Sequence, residues 1–126
     1  MMNNRDNLIS IIVPCYNEEH AIPYFYKAIT EHSTLMKNEF GVDFEYLFIN
    51  DGSVDNTLTV LKEYASKDNR VKYISFSRNF GKESAMYAGL KNASGNYIAI
   101  MDADLQDPPY LLTEMYKTII ESDYDC

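Results

Sequence analysis

The sequence is poor in basic residues: 11 Lys and Arg stand against 19 Asp and Glu, a formal net charge of −8 over 126 residues. That balance excludes a general nucleic-acid binder, whose affinity comes from clustered cations on phosphate backbones. An anionic ligand would need a bound cation or a local basic group. Cysteine is equally scarce. Cys15 and Cys126 fit no metal-ligand spacing or disulfide framework, and free thiols of this kind suit a reducing, cytoplasmic setting. No apolar run approaches the roughly 18 residues of a membrane span, so the chain as given reads as soluble. The first apolar run, Leu8 to Val13, has neither a basic region before it nor a small-residue cleavage site after it, and reads as a strand rather than a signal peptide.

Repeats, low-complexity tracts and linker-like stretches are also missing, which leaves one domain over residues 8–126 behind a short disordered tail, residues 1–7. Glycine is absent where two familiar nucleotide devices require it. No glycine fingerprint follows the first strand, and no Gly-rich loop runs into Lys and Ser or Thr, so dehydrogenase and P-loop readings fall away.

What is present is alternation. Strand-like runs at Leu8–Pro14, Phe44–Asn50, Val71–Ser77 and Tyr97–Met101, with a possible fifth from Tyr124, are separated by segments of helical spacing. The inward faces are Ile22, Phe25, Ile29 and Met36; Leu58, Leu61 and Ala65; Ala85, Ala88 and Gly89; and Leu112, Met115 and Ile119. Pro23 and Pro109 suit first helical turns, and Asp55 suits the N-cap of the second helix. Such βα alternation predicts an α/β domain, Rossmann-like, with a mostly parallel sheet flanked by helices and cut off at the fifth strand.

The polar motifs fall where the strands stop: "PCYNEE", "NDGSVDNT", "SRNFGKES" and "DADLQDPP". Singly, the first three are ordinary strand stops and turns. The fourth is more specific, because two acids one residue apart at the end of a buried strand repel each other unless a cation sits between them. Carboxylates with an amide favour a hard divalent cation, Mg²⁺ or Mn²⁺, completed by substrate phosphates, which points to a diphosphate ligand. Tyr16 offers a face to a base, Asp51 offers acceptors to a base N–H or ribose hydroxyl, and Arg78 and Lys82 offer donors to phosphate oxygens.

Together the four motifs resemble inverting glycosyltransferases of family 2, with the GT-A nucleotide-sugar-binding fold, from Ile9 to the end of the chain. "SRNFGKESAMYAGL" and "DADLQDPP" look most like the polyprenyl-phosphate glycosyltransferases, the bactoprenol and dolichol-phosphate group. The resemblance implies that Pro14, Tyr16 and Glu18 form the first nucleotide-binding segment and that Asp51 reads the base. It further implies that Asp102 lies near ribose and diphosphate, that Asp104 and Gln106 hold the metal, and that Arg78 and Lys82 serve the donor site. Asp102 and Asp104 are then the catalytic acids. The implied donor is a nucleotide sugar, with UDP favoured over GDP, and the acceptor a lipid phosphate or a cell-surface glycan. Acceptor-side residues and membrane helices would lie beyond this chain, placing the parent protein on the cytoplasmic face of a membrane, with this piece by itself binding donor better than it turns over.

Two other classes are weighed against this. A response-regulator receiver domain needs an acid pair after the first strand and a phosphorylatable Asp after the third, where this chain has Cys15–Tyr16–Asn17 and Ser77–Arg78–Asn79. A non-catalytic nucleotide-sugar-binding module is disfavoured by the intact acidic motif.

Overall fold

A computed structural model of the chain describes residues 7–122. Its elements alternate strictly: β1 (Leu8–Cys15), α1 (Ala21–Phe40), β2 (Asp43–Asn50), α2 (Thr57–Lys67), β3 (Val71–Ser75), α3 (Lys82–Asn92), β4 (Tyr97–Ile100) and α4 (Tyr110–Ser122). The expected fifth strand lies outside the described residues, as does the expected tail apart from Asn7. The Asn7 carbonyl accepts the Asp43 N–H at 3.0 Å.

All four strands are parallel, in the order β3-β2-β1-β4. The chain winds outward from β1 to β3 and then returns to lay β4 on the other side of β1. Strand order therefore reverses between β1 and β4, and a crevice opens at their carboxyl ends. Central parallel strands are covered on both faces, which explains why "LISIIVPC" and "DFEYLFIN" are almost continuously buried.

One face of β1, with Ile9, Ile11, Val13 and Cys15, packs in a cluster with Phe25 and Ile29 of α1, Leu61 of α2, and Leu112 and Tyr116 of α4. The other face, Ile12 with Leu47 and Ile49 of β2, is covered by Ala85 of α3. Helix α3 lies close to the sheet: a methyl group at Gly89 would run into Ile12 Cγ2 and come within 3.1 Å of its Cδ1.

Two details differ from the sequence expectation. The spacing predicts Met115 inward on α4, yet it is 56% exposed, and Tyr116 takes the buried place. The Tyr116 ring meets Phe40 and Tyr97 edge-on at 5.0 and 5.4 Å, and this aromatic contact sets the rotation of the helix. Helix α2 starts at Thr57 with Asn56 at the cap position, one residue later than an Asp55 cap implies. Asp55 still does capping work, since its carboxylate accepts the Thr57 N–H at 2.9 Å and the Thr57 hydroxyl at 2.5 Å.

Two carboxylates tie the layers together. Asp68 takes a paired contact from Arg70 (2.8 and 3.0 Å) and the Tyr26 hydroxyl at 2.6 Å. These contacts, led by Arg70, outweigh burial and hold the Asp68 carboxyl at about 2, below its ordinary 3.8. Burial pushes the Glu45 carboxyl up, but bonds from Ser10, Ser94 and Lys72 win and leave it below its ordinary value. Both groups therefore bind fewer protons folded than unfolded, so their stabilisation is complete above about pH 4.5 and is lost as pH falls toward about 2. Between pH 5 and pH 3 the urea midpoint should drop, and Asp68→Asn should shrink that drop. An equal acid drop in Asp68→Asn would assign the loss to other groups.

Candidate functional site

The site grows out of four loops that leave the carboxyl ends of the strands and are stitched together by hydrogen bonds. The loop after β1 turns at Asn17, which adopts a positive φ of 55°, a conformation Asn tolerates better than most residues. Its N–H bonds to Ser53 Oγ at 2.9 Å, and its side-chain carbonyl accepts the Val54 N–H at 2.9 Å. Next in line, the Glu18 N–H donates to Thr57 Oγ1 at 2.9 Å and the Glu19 N–H to Asp55 at 3.3 Å. These contacts dock the first loop onto the second and fix where Tyr16 and Glu18 stand. None of the four partners, Ser53, Val54, Asp55 and Thr57, shows such a role in its own sequence neighbourhood.

The acidic motif turns tightly after β4. Met101 N–H still follows the ladder, bonding to the Ile12 carbonyl at 2.9 Å, and the chain then closes a turn from the Leu105 N–H to the Asp102 carbonyl at 3.1 Å. Leu105 sits at φ 57°, a strained position for a leucine, and is held there because its side chain packs on the core. With Leu105 turned inward, Asp104 and Gln106 come together outside, with Gln106 Nε2 donating to Asp104 Oδ2 at 3.1 Å.

Between β1 and β4, where the strand order reverses, Pro14, Cys15, Tyr16, Glu18, Asp51, Lys82 and Asp102 line a cleft of about 180 Å³. Six of the residues singled out in the sequence thus meet at one place. Tyr16 is half-exposed at its rim. Lys82, at the start of α3, reaches across to Asp102 with Nζ–Oδ1 at 2.9 Å. Arg78 is outside the cleft lining and lies over the Phe80 ring at 4.7 Å. Asp104 and Gln106 stand on the neighbouring turn rather than in the cleft wall. Asp51 is only 4% exposed, and its two carboxylate oxygens accept the N–H groups of Phe80 (2.7 Å) and Gly81 (3.0 Å). Cys15 is buried beneath the cleft, where burial, with Glu18 and Asp55 nearby, pushes its thiol far up and leaves it unfit as a nucleophile.

The electrostatics carry a specific signal. Glu18 is held above its ordinary value, first by burial and then by the negative charges of Asp104, Asp102 and Asp55. Carboxylates from the first and fourth strand ends therefore crowd one another, a repulsion that a cation between them would relieve. Among the described residues no three His, Cys, Asp or Glu side chains form a closed cage. The donor set of Asp104 with Gln106 nevertheless fits a hard cation that takes oxygen ligands and completes its shell with water and phosphate oxygens. A larger concavity, about 460 Å³, lies along the outer edge of β4, lined by Leu90, Ile98, Ile100, Leu111 and Met115. It is mostly apolar, and Met101, Asp107 and Pro108 line the part of it that adjoins the acidic motif.

The fold is α/β, a parallel sheet flanked by helices with polar strand ends converging at the switch point, and its structural neighbours are transferases of the GT-A fold. The chain belongs to glycosyl transferase family 2, whose model matches residues 10–126. It is 48% identical over 121 residues to a putative glycosyltransferase, CsbB, of Bacillus subtilis, covering 96% of this chain and 35% of that protein. It is 49% identical over 100 residues to the bactoprenol glucosyl transferase of Shigella phage SfV, covering 79% of this chain and 31% of that one. The crystal structure of S. aureus TarS 1-349 in complex with UDP-GlcNAc superposes with a TM-score of 0.67 at 29% identity, over 90% of this chain and 31% of that 1-349 chain. The chain thus spans about a third of the length of the curated relatives it matches.

Proposed function

We propose that this domain holds the nucleotide-sugar donor of an inverting glycosyltransferase that passes a hexosyl group from a UDP-sugar to a polyprenyl phosphate. The observation that carries the reading is the convergence of Tyr16, Glu18, Asp51, Lys82 and Asp102 on the cleft at the switch point, with Asp104 and Gln106 on the turn beside it. The relatives named above support the donor class and the lipid acceptor.

In this reading the base stacks on Tyr16 at the cleft rim, with Pro14 shaping the floor and Asp51 at its inner wall. A space of about 180 Å³ encloses only part of a nucleotide, against the roughly 300–1,000 Å³ of most small-molecule sites, so the diphosphate and sugar extend over the open ends of β1 and β4. Lys82 and Arg78 bring positive charge to the diphosphate, and Asp102 orients the ribose–diphosphate junction while restraining Lys82. Asp104 and Gln106 would hold Mg²⁺ or Mn²⁺, which when bound acts as a Lewis acid that offsets charge on the leaving diphosphate. Transfer forms a bond from the acceptor oxygen to the anomeric carbon as the bond from that carbon to the diphosphate oxygen breaks. A lipid phosphate is already anionic and needs no general base, so what the described residues must do is hold the donor still and in line.

No helix among the described residues is long and apolar enough to cross a membrane.

The reading is tested by calorimetry of UDP and UDP-glucose in Mn²⁺ and in EDTA. Binding should be at least about tenfold tighter with metal, ~1.4 kcal/mol. Equal affinity in both conditions would sink the metal assignment, and no binding in either would sink the donor site itself.

A further inference from the structure

We propose that Asp51 and Gly52 form a socket for the β3–α3 loop, and that Asp51 is a positioning residue that sets Lys82 for the diphosphate. The inference rests on the donor-site reading above and adds a role to a residue that sequence reasoning assigns only to the nucleoside, through a base N–H or a ribose hydroxyl.

Asp51 is fixed against the first strand by its own N–H, which bonds to the Cys15 carbonyl at 2.8 Å. Its carboxylate is buried, yet it takes part in none of the ion pairs among the described residues. What satisfies it is backbone: one oxygen accepts Phe80 N–H and the other Gly81 N–H. Gly81 is the residue that caps the N-terminus of α3, so the carboxylate also meets the positive end of that helix. A charge-assisted pair of this kind is stronger than neutral hydrogen bonds and fixes a loop at two consecutive residues.

Gly52 completes the socket. At φ +66° it exposes a bare Cα on which the loop backbone lies, and a methyl there would collide with the main chain of Arg78 and Asn79. Gly81 serves differently: a methyl on it would meet nothing within 4 Å, but its φ of +103° is one that a side chain disfavours. The loop therefore leaves the socket through a glycine hinge directly into Lys82, whose ammonium spans the cleft to Asp102. The result is a continuous path from the end of β2, through the loop, to the acid that ends β4.

Helix α3 does not depend on this path for its place, because Ala85 and Gly89 pack it on Ile12 and its neighbours. Loss of the Asp51 acceptors should loosen the loop and misplace Lys82 while α3 and the sheet remain. Each Asp51 oxygen has accepted one N–H and can accept another contact, so a direct role toward a base and the loop role are separable by experiment.

The test uses the 126-residue chain and Asp51→Asn, which keeps shape but turns an amide NH₂ toward one of the two N–H donors. Without ligand, amide hydrogen exchange followed by NMR should accelerate at least about tenfold at Phe80 and Gly81 and stay unchanged at Gly89. With Mn²⁺, calorimetry should show UDP weakened by Asp51→Asn about tenfold more than uridine, which lacks the diphosphate. In a Lys82→Ala background most of that UDP loss should disappear, the non-additivity that marks action through Lys82. Unchanged exchange at Phe80 and Gly81 would overturn the socket. Equal losses for UDP and uridine, undiminished in the Lys82→Ala background, would overturn the positioning role and leave only a direct base contact. If the unaltered chain bound neither ligand, the donor-site reading and Asp51's part in it would fail together, and the exchange data would still decide the socket.

Discussion

Gly52→Ala should lower the thermal midpoint by roughly 10 °C, the largest stability effect expected of any single methyl group in this chain. Two costs add. A non-glycine residue at φ +66° loses about 1–2 kcal/mol to contact between its Cβ and the backbone. The same methyl would overlap the carbonyl carbon of Arg78 and the amide of Asn79 and come within 2.6 Å of Arg78 Cα. The obstacles are main-chain atoms, which cannot rotate away as a side chain can. Relief requires moving the loop off its Asp51 anchor, and overpacking of this kind costs about 1–3 kcal/mol more. Gly81→Ala is the control, since it meets no neighbour and should show the conformational cost alone, with a smaller shift. A Gly52→Ala protein that melted with the unaltered chain would show that the loop does not lie on the turn.

Asp104→Asn should abolish most of the gain in UDP affinity that Mn²⁺ confers, at least about tenfold, yet leave affinity in EDTA undiminished. The asymmetry follows from the charges. In the proposed function the carboxylate that faces Gln106 at 3.1 Å would be an anionic oxygen ligand of the metal, and an amide is a poorer one for a hard cation. Without metal, the same carboxylate is one more negative charge near an incoming diphosphate. Burial first, and then the charge of Asp104, pushes Glu18 up, so removing that charge should relieve Glu18 in part and slightly favour the anion. Calorimetry of UDP on both proteins, in Mn²⁺ and in EDTA, gives the four affinities needed. Parallel weakening in both conditions would place Asp104 in direct contact with the nucleotide instead.

Strand and helix positions were largely legible along the chain because burial imposes a local period. The apolar runs of β1 and β2 announce strands covered on both faces, and Ile22, Phe25, Ile29 and Met36 are all buried on α1. Legibility ended where a partner sets the choice. On α4 the period alone cannot choose between Met115 and Tyr116, and the rings of Phe40 and Tyr97 made Tyr116 the buried one. At the second helix, Asp55 was readable as a capping acid, but its further bond to the Glu19 N–H depends on a loop 36 positions away.

The site divides along the same line. That acids, an amide and a tyrosine stand where strands stop is written in "PCYNEE" and "DADLQDPP", since a short apolar run followed by oxygen-rich turns needs only its neighbours to be recognised. That β4 lies beside β1 rather than β3 is not written there, and this placement alone brings Asp102 to Lys82 and Glu18 into the field of Asp104. Nor does any window around Asp51 reveal that its carboxylate is taken up by Phe80 and Gly81, 29 and 30 positions on. Side-chain chemistry and its position relative to a strand end are local properties of a polypeptide. Which ends meet is set by the order and register of parallel strands, and those depend on hydrogen bonds and packing between segments far apart in the chain.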